Sequence, residues 1–329
     1  MTILGRHMEA EIAEAPGVFA RAVGQSVTVS GAFHAFYTIA RGSSDAAANI
    51  LSYEVMRETG LPMTSLPPSV FSLGNGVDMT GFAAWVVSQS GASDDLVRSA
   101  KGVAAKGGMV MAILNQTGSA VEAAASLTVP IGAGPELAVP ATKTVIGAIG
   151  AGMALLSAIA PGYAARAVAS AQVMAGLAGV SHPEATVMGQ ALLRAQHVYV
   201  IGRDTGYGAA QELALKLKET CALHAEAYSS SEVLHGPLQL VTKPLLVLIL
   251  DTGQPDVQAS LDTAETRFRS AGGDVHRIRP SDVGAANLTP AAAAAVLLYL
   301  TYPLVMALAR ALGHDPDRPA TLSKVTQTT

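Results

Sequence analysis

The chain has 329 residues, enough for two domains of about 100–200 residues each. Half are hydrophobic and 14% are charged, against about 25% charged in an average soluble domain, which excludes a largely disordered chain. With a net charge of −4 and no basic block, no nucleic-acid partner is expected. The single cysteine, Cys221, excludes an internal disulfide and a multi-cysteine metal site.

A mean hydropathy of +0.36 raises the question of a membrane. The apolar run Ala291 to Leu308 is interrupted by Thr301-Tyr302-Pro303, and the run Val145 to Ala160 stops at Pro161-Gly162. A span wants about 20 uninterrupted apolar residues, so both are expected to be buried helices and no membrane partner is expected. The N-terminus carries Glu9, Glu11 and Glu14 without an apolar core, so no signal peptide is expected and the location reads as cytoplasmic. So little charge leaves apolar surface for a second subunit, predicting a homodimer or higher homo-oligomer.

In chain order, residues 1–22 read as a leading helix. Phe36–Ala40 reads as a strand, followed by a small-residue turn and a helix from about Asp45 to Glu58. Ala83–Val87, Met109–Leu114 and Leu127–Ile131 read as further strands, with a helix from Ser93 to Ala105 after the first of them. The second half repeats the pattern. His197–Ile201 is a strand with a helix to Glu219, Leu245–Leu250 is a strand with a helix from Pro255 to Ser270, and Val275–Ile278 follows. Strands separated by helices predict an α/β fold with parallel sheets.

The halves align. An offset of 161 (197 minus 36) places Phe36–Ala40 on His197–Ile201, Ser44 on Thr205 and Glu58-Thr59 on Glu219-Thr220. Later landmarks, Ser90-Gly91 on Thr252-Gly253 and Gly107-Gly108 on Gly272-Gly273, match with a small drift. The expected organisation is two copies of one doubly wound α/β domain, over 23–165 and 182–314, joined near Gly162–His182. A polar tail, 315–329, lies outside both.

Ser88-Gln89-Ser90-Gly91-Ala92-Ser93 falls between a strand and a helix. Hydroxyls, backbone N–H groups and a helix N-terminus converge there, as a phosphate monoester requires. Gly91 would let the backbone approach the ligand. An ordinary helix cap explains the serines equally well, with Asp94-Asp95 suiting the first turn. Arg41-Gly42-Ser43-Ser44 has the same character, and two such turns at neighbouring strand ends imply a shared crevice. No GxGxxG follows a strand and no GxxxxGK[ST] is present, which disfavours a dinucleotide or P-loop nucleotide.

Glu212, Lys216 and Glu219 lie at helical spacing in ELALKLKETCALHAEAYSSSEVLHGP, 212–237. Glu219 could be a solvated helix end, but the helix runs on into apolar Cys221-Ala222-Leu223. His224, Glu226, Glu232 and His235 read as a serine-rich loop, and Gly236-Pro237 would fix the direction of His235. No spacing matches a zinc motif, so no metal is expected.

These segments resemble the sugar isomerase (SIS) family, above all the isomerase half of glutamine–fructose-6-phosphate aminotransferase. The matching pieces are RGSS at 41–44, SQSGAS at 88–93, GPELAVPATKT at 134–144, ELALKLKET at 212–220, HAEAYSSSEVLHGPLQL at 224–240 and RPATLSKVT at 318–326. The resemblance implies that Ser43, Ser44, Ser88, Gln89, Ser90 and Ser93 hold a phosphate. It implies Glu219 as the proton-shuttling carboxylate, and His235 as the ring-opening histidine reaching in from a neighbouring subunit. Lys324 becomes the lysine that can condense with the open-chain ketose, and Gly42, Glu136, Val139, Thr142 and Ser323 line the sugar pocket. Arg41 departs from the family, standing where a cysteine is usual. The chain ends in Thr rather than Glu.

No glutaminase half with an N-terminal cysteine is present in the sequence, and stand-alone double SIS proteins of this length resemble the type II glucosamine-6-phosphate deaminases. The expected function is therefore conversion of glucosamine-6-phosphate to fructose-6-phosphate and ammonia, with a phosphorylated aminosugar as partner and no cofactor. The alternatives are a deglycase or deaminase of a related aminosugar or Amadori phosphate, and a non-catalytic phosphosugar sensor. The absence of a helix-turn-helix segment and the joint presence of Glu219, His235 and Lys324 count against the sensor.

Overall fold

The computed structural model describes residues 4–324 of the chain. Helix α1 (Arg6–Val23) leads into strand β1 (Ala35–Ile39), helix α2 (Ser43–Thr59), the short strand β2 (Met63–Ser65) and a one-turn helix α3 (Ser69–Ser72). Strand β3 (Phe82–Ser88), helix α4 (Asp94–Ala105), β4 (Met109–Leu114) and β5 (Leu127–Pro130) complete a five-stranded sheet of order β2-β1-β3-β4-β5. Helices α5 (Lys143–Ile159), α6 (Ala164–Ala175) and α7 (Ala185–Arg194) precede β6 (His197–Gly202), α8 (Thr205–Cys221), β7 (His224–Ser229), β8 (Leu246–Leu250), α9 (Pro255–Ser270) and β9 (Asp274–Ile278). These strands form a four-stranded sheet of order β7-β6-β8-β9, and α10 (Pro290–Ala311) follows. All strand pairs in both sheets are parallel.

Both faces of the central strands are buried, as parallel sheets require. In β6 and β8, Val198, Val200, Leu246 and Leu248 face the central core, while Tyr199, Ile201, Val247 and Ile249 face an outer cluster under α9. The central core lies between the sheets and takes in α1, α2, α5, α6, α8 and α10. Helix α10 is long and apolar enough to cross a membrane, yet 89% of its most apolar window is buried inside the protein. Its neighbours are α8, α1, α5 and α7.

Three sequence expectations change. His224 and Glu226 lie on strand β7, not in a loop; that strand pairs with β6 over its whole length. The join near 162–182 holds α6, whose Ala167, Ala171 and Met174 belong to the central core. The internal offset is also one residue too small. Phe36 and Val198 both face the central core, Ile39 and Ile201 both face outer clusters, and Gly42 and Asp204 share one unusual backbone conformation (φ 54°, ψ −129° and φ 56°, ψ −132°). That fixes an offset of 162 (198 minus 36), because a one-residue slip would turn every strand side chain to the wrong face. Thr220, not Glu219, is then the counterpart of Glu58, and Lys216 is the counterpart of Glu54.

Helices α2 and α8 pack closely across the middle of the molecule. Gly208 permits it: a Cβ there would lie 2.6 Å from Ile50 Cγ1 and 2.9 Å from the Ala46 carbonyl oxygen. This contact brings α8 to the first turn of α2.

Candidate active site

In the first sheet the chain leaves β1 toward β2 on one side and returns to β3 on the other. The crevice beyond the carboxyl ends of β1 and β3 is therefore a topological switch point, the usual ligand position in open α/β sheets. A cavity of about 310 Å3 opens there, lined by Arg41, Gly42, Ser44, Ser88, Gln89, Ser90, Ser93 and Lys324, with Val87 and Leu96. Five of the six residues expected to hold phosphate meet in it.

The turns show why. Ser88 Oγ accepts the N–H of Gly91 at 3.0 Å, and Ser90 Oγ accepts that of Ala92 at 3.3 Å. Ser93 is the N-cap residue of α4, but its hydroxyl makes no capping bond and faces the cavity lining instead. Gly91 has a different purpose from the one expected. Its φ is +61°, and a Cβ on it would fall 2.2 Å from Ser119 Oγ, so the glycine serves the turn and the packing of Ser119 behind it.

Ser43 does not line the cavity. Its Oγ accepts a hydrogen bond from Lys216 Nζ at 2.9 Å. Lys216 is fully buried, donates to Glu219 Oε2 and lies 3.5 Å from Glu212 Oε1. Burial opposes its charge, yet Glu212 and Glu219 hold its pKa above the ordinary lysine value. Burial pushes Glu212 up to about 7, although Lys216 favours its ionised form. Tyr302 OH donates to Glu212 Oε1 at 3.1 Å, and Glu212 Oε2 has no partner. Glu219, about a quarter exposed, thus stands at the open end of a buried chain of hydrogen bonds that begins at Ser43, in the first turn of α2. Sequence reasoning noted Lys216 only for its spacing. The usable signal was a lysine four residues after one glutamate and three before another, all on one helix face.

Lys324 reaches the cavity from the C-terminal tail. Its Nζ donates to Glu136 Oε2 at 3.2 Å and to the Ala138 carbonyl at 2.5 Å. Glu136 is buried and also accepts the N–H groups of Thr142 and Thr144, each at 3.0 Å, and the Thr144 hydroxyl at 2.7 Å. Thr142 is buried with no partner for its hydroxyl, and Ser323 is exposed. Val139 donates its N–H to the Asp317 carbonyl.

The tail is not anchored by packing of its apolar Leu322. Leu322 is 43% exposed, and Val325 lies outside the described residues. Two aspartates dock it instead. Helix α1 begins at Gly5, which has no side chain to cap it, and Asp317 accepts the N–H groups of His7 and Met8 at 2.9 and 2.8 Å. Asp315 accepts that of Gly5 at 3.0 Å. Glu11, one helical turn on, accepts the N–H groups of Leu137 and Ala138, and burial raises its pKa to about 7. The leading helix therefore fixes both the tail and the 134–144 segment against which Lys324 rests.

His235 is exposed beside Gly236 (φ 141°) and is not part of the cavity lining. The matching turn of the second sheet differs sharply. There Asp251 takes the place of Ser88, is fully buried, and pairs with Arg277 at 2.9 Å and Arg279 at 3.0 Å. Burial works against its charge, but hydrogen bonds from Gln258 and Gly253 and the Arg277 guanidinium keep its pKa below the ordinary value. A carboxylate engaged by two guanidiniums fills that turn, so it lacks the hydroxyl that Ser88 supplies in the first sheet. Among the described residues, no group of three or more His, Cys, Asp or Glu side chains is placed to hold a metal ion.

The SIS domain pattern matches residues 34–158 and 191–278. The chain belongs to the SIS family. Similar SIS relatives include a glutamine–fructose-6-phosphate aminotransferase of Symbiobacterium thermophilum, 32% identical over 92% of this chain and 53% of the relative. The chain spans about half the length of that relative. A candidate phosphosugar isomerase from Silicibacter pomeroyi, whose crystal structure is solved, is 31% identical, with a TM-score of 0.82 over 96% of this chain and 100% of that one. A glucosamine-6-phosphate deaminase from Thermotoga maritima shares the fold, with a TM-score of 0.78 at 18% identity over 98% of this chain and 100% of that one.

Proposed function

We propose that the protein is a phosphosugar isomerase and deaminase of two tandem SIS domains, which converts glucosamine-6-phosphate and water to fructose-6-phosphate and ammonia. The observation that carries the reading is the cavity at the β1/β3 switch point. Ser44, Ser88, Gln89, Ser90 and Ser93 line it together with Lys324, which supports a site that takes a phosphate on its serine turns and offers an amine to the sugar. In this reading the first sheet binds and the second supplies the helix with the acid–base groups.

The chemistry follows from those positions. With the sugar ring open, Glu219 takes the proton from C2 while the C2 ammonium gives one to O1, forming an enolamine, and then returns its proton to C1, leaving the nitrogen as a protonated imine. Water then hydrolyses the resulting C2 imine, releasing ammonia and leaving the ketone. Lys216, bonded to both Glu219 and Ser43, ties the carboxylate to the turn that carries Ser44, the next residue and one that lines the cavity. A positioned acid–base group of this kind contributes about 10²–10⁴-fold. Lys324 contacts the open-chain sugar, and covalent condensation would require its neutral amine; Glu136 is within reach to take the proton. His235, exposed and away from this chain's cavity, opens the ring in a neighbouring subunit of a cytoplasmic homodimer or larger homo-oligomer. Mixing inactive His235→Ala and Glu219→Gln chains should restore part of the activity. No recovery after proven subunit exchange would make each site the work of one chain.

A second reading, a deglycase of Amadori phosphates, is favoured by one observation. Gln89 also lines a neighbouring cavity of about 470 Å3, bounded by Asn115, Thr117 and Glu136, with room for a larger substituent on the nitrogen. An ammonia-release assay over hexosamine 6-phosphates, run beside a cleavage assay on fructosyl-amino-acid phosphates, separates the two. Ammonia from glucosamine-6-phosphate supports the first reading, and turnover of the Amadori phosphates alone supports the second. Binding of both without turnover would leave a phosphosugar sensor.

A further inference from the structure

Arg41 follows the end of β1 and lines the cavity beside the serine turns. Its Nε donates to Asp95 Oδ2 at 2.8 Å. Asp95 is 1% exposed and sits in the first turn of α4, two residues beyond Ser93. The arginine therefore bridges the two turns that face each other across the switch point. Only the Nε–H is used in this way: the two terminal nitrogens have no other protein acceptor among the described residues, and the side chain is 53% exposed. Asp45, in the first turn of α2, is the other carboxylate that feels its charge. Lys324, the second cation lining the cavity, is already engaged by Glu136 and the Ala138 carbonyl.

A guanidinium held by one edge keeps its remaining donors in a fixed plane, the geometry that matches two oxygens of a phosphate. Serine hydroxyls and backbone N–H groups are neutral donors and would also accept a carboxylate or a sugar hydroxyl. We propose that Arg41 is a specificity-determining residue of this site, donating through its terminal nitrogens to the phosphate and selecting phosphorylated over unphosphorylated sugars. Asp95 is the positioning residue that holds it. The proposal rests on the phosphosugar reading of the cavity and adds to it the residue that makes the cradle charge-selective.

The test is calorimetric and needs no turnover. The full chain, Arg41→Ala and Arg41→Lys are each titrated with inorganic phosphate and with glucitol 6-phosphate, a sugar phosphate that cannot isomerise. Arg41→Ala should weaken both by about 10- to 150-fold, the effect of losing hydrogen bonds to a charged group. Arg41→Lys keeps a charge beside Asp95 but lacks the fork, and should weaken them by about tenfold. The lysine variant also guards against a folding defect, since Asp95 keeps a counter-ion. If the wild type binds both ligands and the two variants bind within about twofold of it, Arg41 serves only to bridge the turns and the proposal is overturned. If the wild type binds neither, the phosphosugar reading itself falls, and this assignment with it.

Discussion

The Nζ of Lys216 donates to the Oγ of Ser43 at 2.9 Å, joining the middle of α8 to the first turn of α2. The same ammonium holds Glu219, so one buried side chain ties the proposed proton-moving carboxylate to the turn that carries Ser44. Neither end of this link is adjacent in sequence to the other. It exists because α2 and α8 approach closely at Gly208.

Glu219→Gln should lower kcat by about 10²–10⁴-fold and also lower the melting temperature, because the buried Lys216 loses one of its two carboxylate partners. Glu58→Gln is the control. Glu58 pairs with the half-exposed Arg166 and is not the structural counterpart of Glu219, so its loss should leave kcat unchanged and cost at most about 1 kcal/mol of stability. A large fall in kcat for Glu58→Gln, or none for Glu219→Gln, would reverse the assignment.

Ser93 separates a helix cap from a ligand contact. A capping serine would cost about 1 kcal/mol of stability on truncation to alanine. Its hydroxyl makes no capping bond, so Ser93→Ala should melt at the wild-type temperature. Affinity for a phosphorylated sugar should instead fall by about 10-fold or more, as a hydrogen bond to a charged group is lost. A lowered melting point with unchanged KM would return Ser93 to the role of a cap.

Asp317 links stability to the position of Lys324. It accepts two N–H groups at the start of α1, where the helix has no cap of its own. Asp317→Ala should cost about 1–2 kcal/mol in chemical denaturation, from the lost cap and the lost charge at the helix N-terminus. It should also lower kcat, because the tail that presents Lys324 is released. Asp317→Asn retains acceptor oxygen and should recover part of both. Wild-type kcat in a destabilised Asp317→Ala protein would show that Lys324 is placed independently of α1.

Three buried carboxyls make stability fall toward neutral pH. Burial raises Glu11, Glu54 and Glu212 to about 7 from an unfolded value of 4.5. Each binds its proton more tightly in the folded protein, so its contribution is complete below about 4.5 and is lost as the pH rises through about 7. For Glu54, held by Tyr163 and the N–H of Ala291, the effect is on the order of 3 kcal/mol. Melting temperatures taken from about pH 5 to about pH 8 should decline, and Glu54→Gln should flatten part of that slope. An unchanged slope in this variant would mean that Glu54 is ionised throughout.

The sequence by itself determined a good deal. Alternating β-branched runs and helices gave the parallel α/β character, since strand and helix periodicities are local. Met109–Leu114 and Pro255–Ser270 are observed with the expected ends. The short motifs also located the serine turns that line the cavity, because a strand–turn–helix segment carries its own backbone donors.

Pairing across the fold decided the rest. His224–Ser229 alternates only two alanines, Ala225 and Ala227, with polar residues and reads as loop; it becomes a strand because the edge of β6 offers it hydrogen bonds. The internal match slipped by one residue because identities do not report which face of a sheet a side chain occupies. One fold position carries Glu54 in the first half and Lys216 in the second, and charge spacing on one helix suggests an ion pair without telling whether water reaches it. Lys216 and Glu54 acquire their character only when α2, α8 and α10 close over them and remove the water. The docking of the tail is equally non-local: Asp317 finds its partners at His7 and Met8, at the opposite end of the chain, where a helix start without a side-chain cap leaves N–H groups to be satisfied.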